Sequence, residues 1–210
     1  YERLTADYSK DGARAFDFNF MGKVYESEFK VIECKEEEMP VLNEQNIKMQ
    51  NGLDGCRIGF DAGGSDRKVS AVVNGEVIHS EEVVWFPKTN EDPEYHYQGI
   101  LDSFRRAAEK MPSVDAIGVS SAGIYIDNEV RVASLFIKVP QDLFDEKVVD
   151  MYIRAAKEYG DVPLTVANDG DVTALAGSMS LKSGQVLGIA MGTSEAAGYI
   201  NKEGNLNGWL

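Results

Sequence analysis

The chain has 210 residues, of which 43% are apolar, and its formal net charge is −14. This apolar fraction is typical of a globular core and excludes a disordered chain, and no stretch approaches the roughly 20 apolar residues that a transmembrane helix needs. The acidic balance disfavours binding to nucleic acid or to an anionic membrane, because both require clustered basic side chains. Cys34 and Cys56 have neither CxxC spacing nor companion histidines, which disfavours a zinc site and fits a cytoplasmic protein.

Residues 1–55 are predicted to form an N-terminal extension. Phenylalanine alternates with polar residues over 16–20, which is the period of a half-buried strand. A second strand is predicted over 24–34, so the two strands would form a β-hairpin. Residues 43–55 are polar and contain glycine, which is typical of a linker.

From residue 57 the pattern changes to a succession of strands and amphipathic helices. Strands are predicted at residues 57–60, 68–73, 76–85, 114–119, 162–166, 185–191 and 196–200. Helices are predicted at residues 94–110, 141–159 and 170–179. The Asn74-Gly75 pair predicts a two-residue hairpin turn. The order β-β-β-α-β-α-β-α predicts a mixed α/β sheet, in which three antiparallel strands lead into parallel strands with crossover helices.

A glycine-containing turn, Asp61-Ala62-Gly63-Gly64-Ser65, follows the first strand of this succession. A glycine pair lets backbone N–H groups approach an anion without interference from a Cβ atom, and the Ser65 hydroxyl adds a donor. Asp61, at the end of a buried strand, is suited to hold Mg²⁺ through water. The alternative is a tight hairpin with an exposed aspartate.

Polar residues also follow two later buried strands. Asn168 and Asp169 stand at the exit of one of them, where a carboxylate can serve as a general base; the alternative is that Asp169 only caps the next helix. Ser120, Ser121 and Gly123 follow the other strand, where ligands collect in open α/β sheets. A structural turn is the alternative there.

Taken together, these motifs resemble the ROK family of sugar kinases, in the actin-like ATPase superfamily with its ribonuclease H-like fold. The matching motifs are a D-x-G-G-[ST] phosphate loop at 61–65, a G-[IV]-x-x-x-G segment at 118–123, an N-D pair at Asn168-Asp169 before a helix of small residues, and part of a second, G-T-G phosphate loop at Gly192-Thr193. The resemblance covers residues 57–204. It implies a first lobe at 56–183 and the beginning of a second lobe at 184–210, and we expect the protein to continue beyond Leu210.

The resemblance implies an ATP-dependent kinase that transfers the γ-phosphoryl group to a hexose-type hydroxyl. It also implies a cytoplasmic protein that forms a homodimer, with a sugar as its small-molecule partner. The roles it implies are Asp169 as the catalytic base; Asn168, Ser120, Ser121 and Gly123 as substrate-binding residues; Gly63, Gly64, Ser65, Gly192 and Thr193 as ATP-binding residues; and Asp61 as the residue that serves Mg²⁺.

The chain also departs from the family pattern. Ser194 replaces the usual second glycine of the second phosphate loop, and the Glu195 carboxylate would repel a triphosphate unless a metal lies between them. Asp66 stands where many members carry lysine. These departures keep open a non-catalytic sugar- or nucleotide-binding sensor. The family's repressors carry an N-terminal helix-turn-helix, whereas residues 1–52 are acidic and are predicted to form a β-hairpin, which argues against DNA binding. An ATPase that activates another enzyme is a third alternative, for which the cysteines are poorly placed.

Overall fold

The computed structural model describes residues 1–40, 45–47, 53–192 and 195–208. These divide into two compact units, Tyr1–Glu44 and Gln45–Leu210. No helix in the described ranges has the length and apolar character needed to cross a membrane.

The smaller unit is helical where the sequence predicts a β-hairpin, and that prediction is wrong. Its helices are Glu2–Asp7 (α1) and Ala15–Val24 (α2), followed by a 3₁₀ turn at Glu36–Glu38. Alternating phenylalanines fit a strand, but Phe16 and Phe20 are also four residues apart, the spacing of neighbours on one helix face. Their rings stack with centroids 5.4 Å apart, and Val24 at the end of α2 is buried. The same spacing thus serves a helix.

The larger unit is mixed α/β. Its strands are Gln45–Ile47 (β1), Cys56–Ala62 (β2), Asp66–Val73 (β3), Glu76–Val84 (β4), Ala116–Ser121 (β5), Ile124–Ile126 (β6), Glu129–Val132 (β7), Leu164–Asn168 (β8), Val186–Met191 (β9), Glu195–Ile200 (β10) and Leu206–Gly208 (β11). Its α-helices are Pro93–Ala108 (α3), Gln141–Lys147 (α4), Met151–Lys157 (α5) and Asp169–Leu181 (α6), with 3₁₀ turns at Pro87–Thr89 and Ser134–Phe136.

The central sheet has the strand order β4-β3-β2-β5-β8. Its β4, β3 and β2 strands pair antiparallel, whereas β2, β5 and β8 pair parallel. This is the predicted mixed sheet, so the fold class is confirmed. A second sheet has the order β1-β11-β10-β9, with antiparallel pairing throughout, and β6 and β7 form a separate hairpin.

The core of the larger unit lies between the central sheet and its helices. Phe104 of α3 meets Phe60 of β2 edge to face, with ring centroids 5.5 Å apart, and Phe104 is fully buried. The single helix predicted at 141–159 is divided into α4 and α5. The break has a tertiary cause, because the carbonyl of Val149 accepts a hydrogen bond from the Val130 N–H of β7 at 2.9 Å and is not used within a helix.

A partly buried ion-pair network joins α3 to the central sheet. The Arg67 guanidinium of β3 lies 2.8 Å from the Asp102 carboxylate and also donates to the Ser103 hydroxyl at 2.6 Å. Arg105 and Arg106 donate to the same carboxylate at 2.7 and 2.9 Å. Burial alone would raise the pKa of Asp102, but the three arginines lower it to about 2. Arg67 therefore has a structural role at this site.

We expect Asp102→Asn to destabilise the fold at pH 7 by about 2 kcal/mol, since the native carboxylate ionises near pH 2 and an unfolded one near pH 4. A group with a depressed native pKa stabilises the fold above its unfolded pKa and loses that contribution as the pH falls. The difference between variant and wild type should therefore shrink to about half by pH 3. Urea unfolding at pH 7 and pH 3 measures it, and a difference that stays the same at both pH values would contradict this assignment.

Candidate functional site

The three parallel strands of the central sheet bring the predicted site residues to one edge. Asp61 of β2 is in register with Ser120 of β5, and Ser121 of β5 is in register with Asn168 of β8. These positions lie at or next to the carboxyl ends of their strands, where open α/β sheets bind ligands. Residues 59 and 47 positions apart in the sequence, 61 to 120 and 121 to 168, thus become neighbours.

The predicted phosphate loop is a tight turn between β2 and β3. The indole N–H of Trp85 donates to the carbonyl of Gly63 at 2.8 Å, and its backbone N–H donates to the carbonyl of Ser65 at 3.1 Å. A Cβ atom on Gly63 would lie 2.6 Å from the Asp66 carbonyl oxygen, which is closer than real Cβ contacts allow. Glycine is therefore required for this backbone path, and Trp85 holds the path in place.

Asp61 is half-buried at the end of β2. Burial raises its pKa, against the opposing effects of the Lys68 ammonium, 3.9 Å away, and of a hydrogen bond from Ser120. The nearby carboxylates of Asp66 and Asp169 raise the pKa further. A carboxylate in this environment gains from a cation that enters the site, because the cation offsets the cost of burying its charge.

The Asn168-Asp169 pair begins α6. The Asn168 side chain caps the helix by accepting the Gly170 N–H at 2.8 Å, and its amide donates to the Gly123 carbonyl at 2.7 Å. One amide hydrogen and one oxygen lone pair of Asn168 remain for a ligand. Asp169, the first residue of α6, lines the same cavity as Asp61. The Asp169 carboxylate accepts the same Gly170 N–H at 3.1 Å, so both side chains of the pair take part in the cap.

Helix α6 packs closely on the second sheet because the sheet has glycines where the helix contacts it. Gly188 of β9 and Gly198 of β10 are directly paired and buried. A Cβ atom on Gly188 would overlap the backbone of Ala174, and one on Gly198 would overlap the backbone of Asp171. Only glycine permits this approach, which brings the end of β9 to the cavity.

Asp171 lies in this contact between α6 and the second sheet. Burial and the nearby Asp169 carboxylate raise the pKa of Asp171 to about 6. Asp171 does not line the cavity. Its perturbed pKa reflects packing of the helix and gives no support for a catalytic role.

The cavity between these elements has a volume of about 450 Å³. Of the predicted site residues it is lined by Asp61, Gly63, Gly64, Ser120, Asp169 and Gly192. The structure thus brings together the predicted metal site, the predicted base and parts of both predicted phosphate loops. The cavity volume is within the usual range for small-molecule sites.

Other predicted site residues do not line this cavity. The Ser65 hydroxyl donates to the Asp66 carboxylate at 3.1 Å. Ser121 is 1% exposed and its hydroxyl donates to the Ala62 carbonyl at 3.4 Å, so it has almost no surface to offer a substrate. Gly123 and Asn168 are hydrogen-bonded to each other, and each is next in the chain to a lining residue, Ala122 and Asp169 respectively. Thr193 and Ser194 lie outside the described residues.

Lys88 lines the cavity and was not predicted from the sequence. It follows β4 in the 3₁₀ turn Pro87–Thr89. Nothing in the sequence separates it from other surface lysines, because its place at the Gly64 turn depends on how that 3₁₀ turn packs. Ser134, Val172 and Thr173 line the cavity as well, and were missed for the same reason.

The carboxylates at the cavity fit Mg²⁺. An ion that is coordinated by protein side chains alone requires three or more ligating residues, and the described part of the chain contains no such cluster. Mg²⁺ usually keeps several waters and takes one or two carboxylates together with substrate phosphates. Asp61 and Asp169, which line one cavity, meet that lower demand.

Comparisons by sequence find no relative, since no family model and no curated protein matches the chain. Solved structures do match. An inorganic polyphosphate/ATP-glucomannokinase from Arthrobacter sp. strain KM is 21% identical with a TM-score of 0.56, over 74% of this chain and 62% of that one. The ROK hexokinase from Thermus thermophilus is 18% identical with a TM-score of 0.51, over 73% of this chain and 49% of that one.

A ROK family transcriptional regulator, described as a homolog of the E. coli MLC protein, also matches. It is 16% identical with a TM-score of 0.50, over 74% of this chain and 39% of that one. The chain thus spans between 39% and 62% of the length of these three structures. The likeness confirms the predicted fold: the chain has the actin-like ATPase fold that ROK sugar kinases share.

Proposed function

We propose that this chain is the nucleotide-binding lobe of a ROK-family sugar kinase, which transfers the γ-phosphoryl group of ATP to a hydroxyl of a hexose-type sugar. One observation carries the proposal: the carboxylates of Asp61 and Asp169 line a single cavity whose wall includes the Gly63-Gly64 turn. Phosphoryl transfer needs a carboxylate that accepts the proton of the attacking hydroxyl and a site for the phosphates. This cavity offers both.

In the proposed reaction Asp169 acts as the general base. Its carboxylate accepts the proton of the sugar hydroxyl while the sugar oxygen forms a bond to the γ-phosphorus. The bond from that phosphorus to the β–γ bridging oxygen breaks, and ADP leaves. Asn168, held by its bonds to Gly123 and Gly170, uses its remaining donor and acceptor to orient the sugar, with Ser120 as a second contact.

The backbone N–H groups of the Gly63-Gly64 turn bind phosphate oxygens, and the Gly192 loop approaches them from the second sheet. Asp61 would hold Mg²⁺, and the ion would supply charge neutralisation at the phosphate oxygens. The half-buried position of Asp61 suits this role, since a carboxylate shielded from water interacts more strongly with a cation. Most of the catalytic effect then comes from positioning and charge stabilisation.

Calorimetry on the full-length protein tests the proposal, with MgATP and a panel of hexoses as ligands. We expect MgATP and at least one hexose to bind, and we expect ATP to bind more weakly once EDTA has removed Mg²⁺. A protein that binds neither MgATP nor any hexose would refute the kinase proposal. This experiment measures binding alone and is independent of the chemical step.

A sugar-binding sensor is a second candidate function. Two observations favour it: a ROK family transcriptional regulator has a similar fold, and the exposed Glu195 stands at the start of β10, close in sequence to the Gly192 loop. A carboxylate there disfavours a triphosphate. A protein that binds a hexose but not MgATP in the same calorimetric experiment would support the sensor over the kinase.

A further inference from the structure

Lys88 lies directly against the phosphate-loop turn. A Cβ atom on Gly64 would lie 2.8 Å from Cε and 2.9 Å from Nζ of Lys88. The lysine is half-buried and lines the cavity together with Asp61 and Asp169. The absence of a side chain at Gly64 therefore makes room for an ammonium group as well as for the turn itself.

The other basic side chains near the turn are engaged elsewhere. The Lys68 ammonium forms a short ion pair with the Asp66 carboxylate and lies 3.9 Å from that of Asp61. Arg67 is 9% exposed and bonded to α3 through Asp102. Among the described residues that line the cavity, Lys88 is the one cation.

The Lys88 ammonium has no hydrogen bond or ion pair to any residue in the described ranges. A half-buried cation that lacks an anionic partner retains most of its capacity to bind an anion. It lines the same cavity as the carboxylates of Asp61 and Asp169, so the ligand that suits this cavity is an anion that binds together with a cation. A magnesium-bound phosphate chain has that charge pattern.

The 3₁₀ turn that carries Lys88 is held in place by hydrogen bonds. His96 of α3 is fully buried, and its Nε2 lies 2.9 Å from the Pro87 carbonyl and 3.2 Å from the Leu135 carbonyl. The Asn90 amide adds a bond to the Phe86 carbonyl at 2.8 Å. A fixed backbone reduces the ordering entropy that Lys88 loses when it binds a ligand.

We propose that Lys88 binds the terminal phosphate groups of the phosphoryl donor at the Gly63-Gly64 turn. The proposal rests on the proposed kinase function and adds a phosphate-binding residue to it. The long, flexible side chain suits a point contact with phosphate oxygens, while the turn supplies backbone N–H donors. Lys88 contributes to binding the donor and takes no part in binding the sugar.

Calorimetry with two probes, MgATP and inorganic tripolyphosphate, tests Lys88→Met in the full-length protein. A hydrogen bond to a charged group predicts that the dissociation constant of each probe rises about tenfold or more, while hexose affinity and the unfolding midpoint of the unliganded protein stay unchanged. Lys110→Met is the matched control, because Lys110 is exposed and does not line the cavity. It should change each constant less than about twofold.

Wild-type affinity for both probes in Lys88→Met would overturn the proposal and leave the kinase function intact. Equal losses in Lys88→Met and Lys110→Met would overturn it too, since the effect would then be one of net charge. A wild-type protein that binds neither probe would refute the kinase function, and the Lys88 proposal with it.

Discussion

Replacing Asp169 by asparagine is expected to lower kcat about 10²–10⁴-fold, which is the usual contribution of a general base. Asparagine has nearly the same shape but cannot accept the proton of the sugar hydroxyl. The helix cap should survive, because the Asn168 oxygen accepts the Gly170 N–H at 2.8 Å, and an asparagine amide oxygen can replace the Asp169 oxygen that accepts it at 3.1 Å. The affinities for MgATP and for the sugar should therefore stay close to those of the wild type.

Steady-state kinetics together with calorimetry separate these two expectations. Asp161→Asn serves as the control, since Asp161 is exposed before β8 and does not line the cavity. It removes one carboxylate without touching the site and should keep the wild-type kcat. Full turnover in Asp169→Asn would contradict the assignment of Asp169 as the base.

Replacing Gly198 by alanine is expected to destabilise the larger unit by about 1–3 kcal/mol, the typical cost of overpacking. The new methyl group would overlap the backbone of Asp171 in α6, and neither the helix nor the paired Gly188 strand can shift without disturbing the other. Because α6 begins with Asp169 and β9 ends next to Gly192, the displacement should also lower kcat.

Urea unfolding measures the loss of stability. Gly59→Ala is the matched control, because Gly59 lies on an exposed position of β2 and no atom comes within 4 Å of the Cβ that alanine would add. Its free energy of unfolding should stay within about 0.5 kcal/mol of the wild type. Equal stability of Gly198→Ala and Gly59→Ala would show that α6 does not need the close approach.

The sequence predicted the central sheet because its local signals agree with its tertiary structure. The Asn74-Gly75 turn has positive φ at both residues, 50° and 82°, as a two-residue hairpin requires. Asn168 caps α6 one residue before the predicted cap at Asp169. Residues that follow parallel strands meet at one edge by geometry, and the resemblance to ROK sugar kinases implied one site for Asp61 and Asp169.

The failures occur where tertiary contacts decide between two local patterns. Phe16 and Phe20 fit a strand period and a helix period equally well, and the helix forms. The apolar pattern over 141–159 fits one continuous helix, but the helix is interrupted near Val149, whose carbonyl accepts a hydrogen bond from β7. Lys88 reaches the site only because a 3₁₀ turn packs beside Gly64. Sequence spacing does not predict that contact.

Phosphoryl transfer by the full-length protein tests the central claim most directly. The protein would be incubated with MgATP and each hexose of the panel, and ADP and sugar phosphate would be measured together. The account predicts that at least one hexose yields ADP and sugar phosphate in equal amounts, at a rate that Asp169→Asn lowers at least about a hundredfold. A protein that binds MgATP and a hexose, yet forms no sugar phosphate, would contradict it.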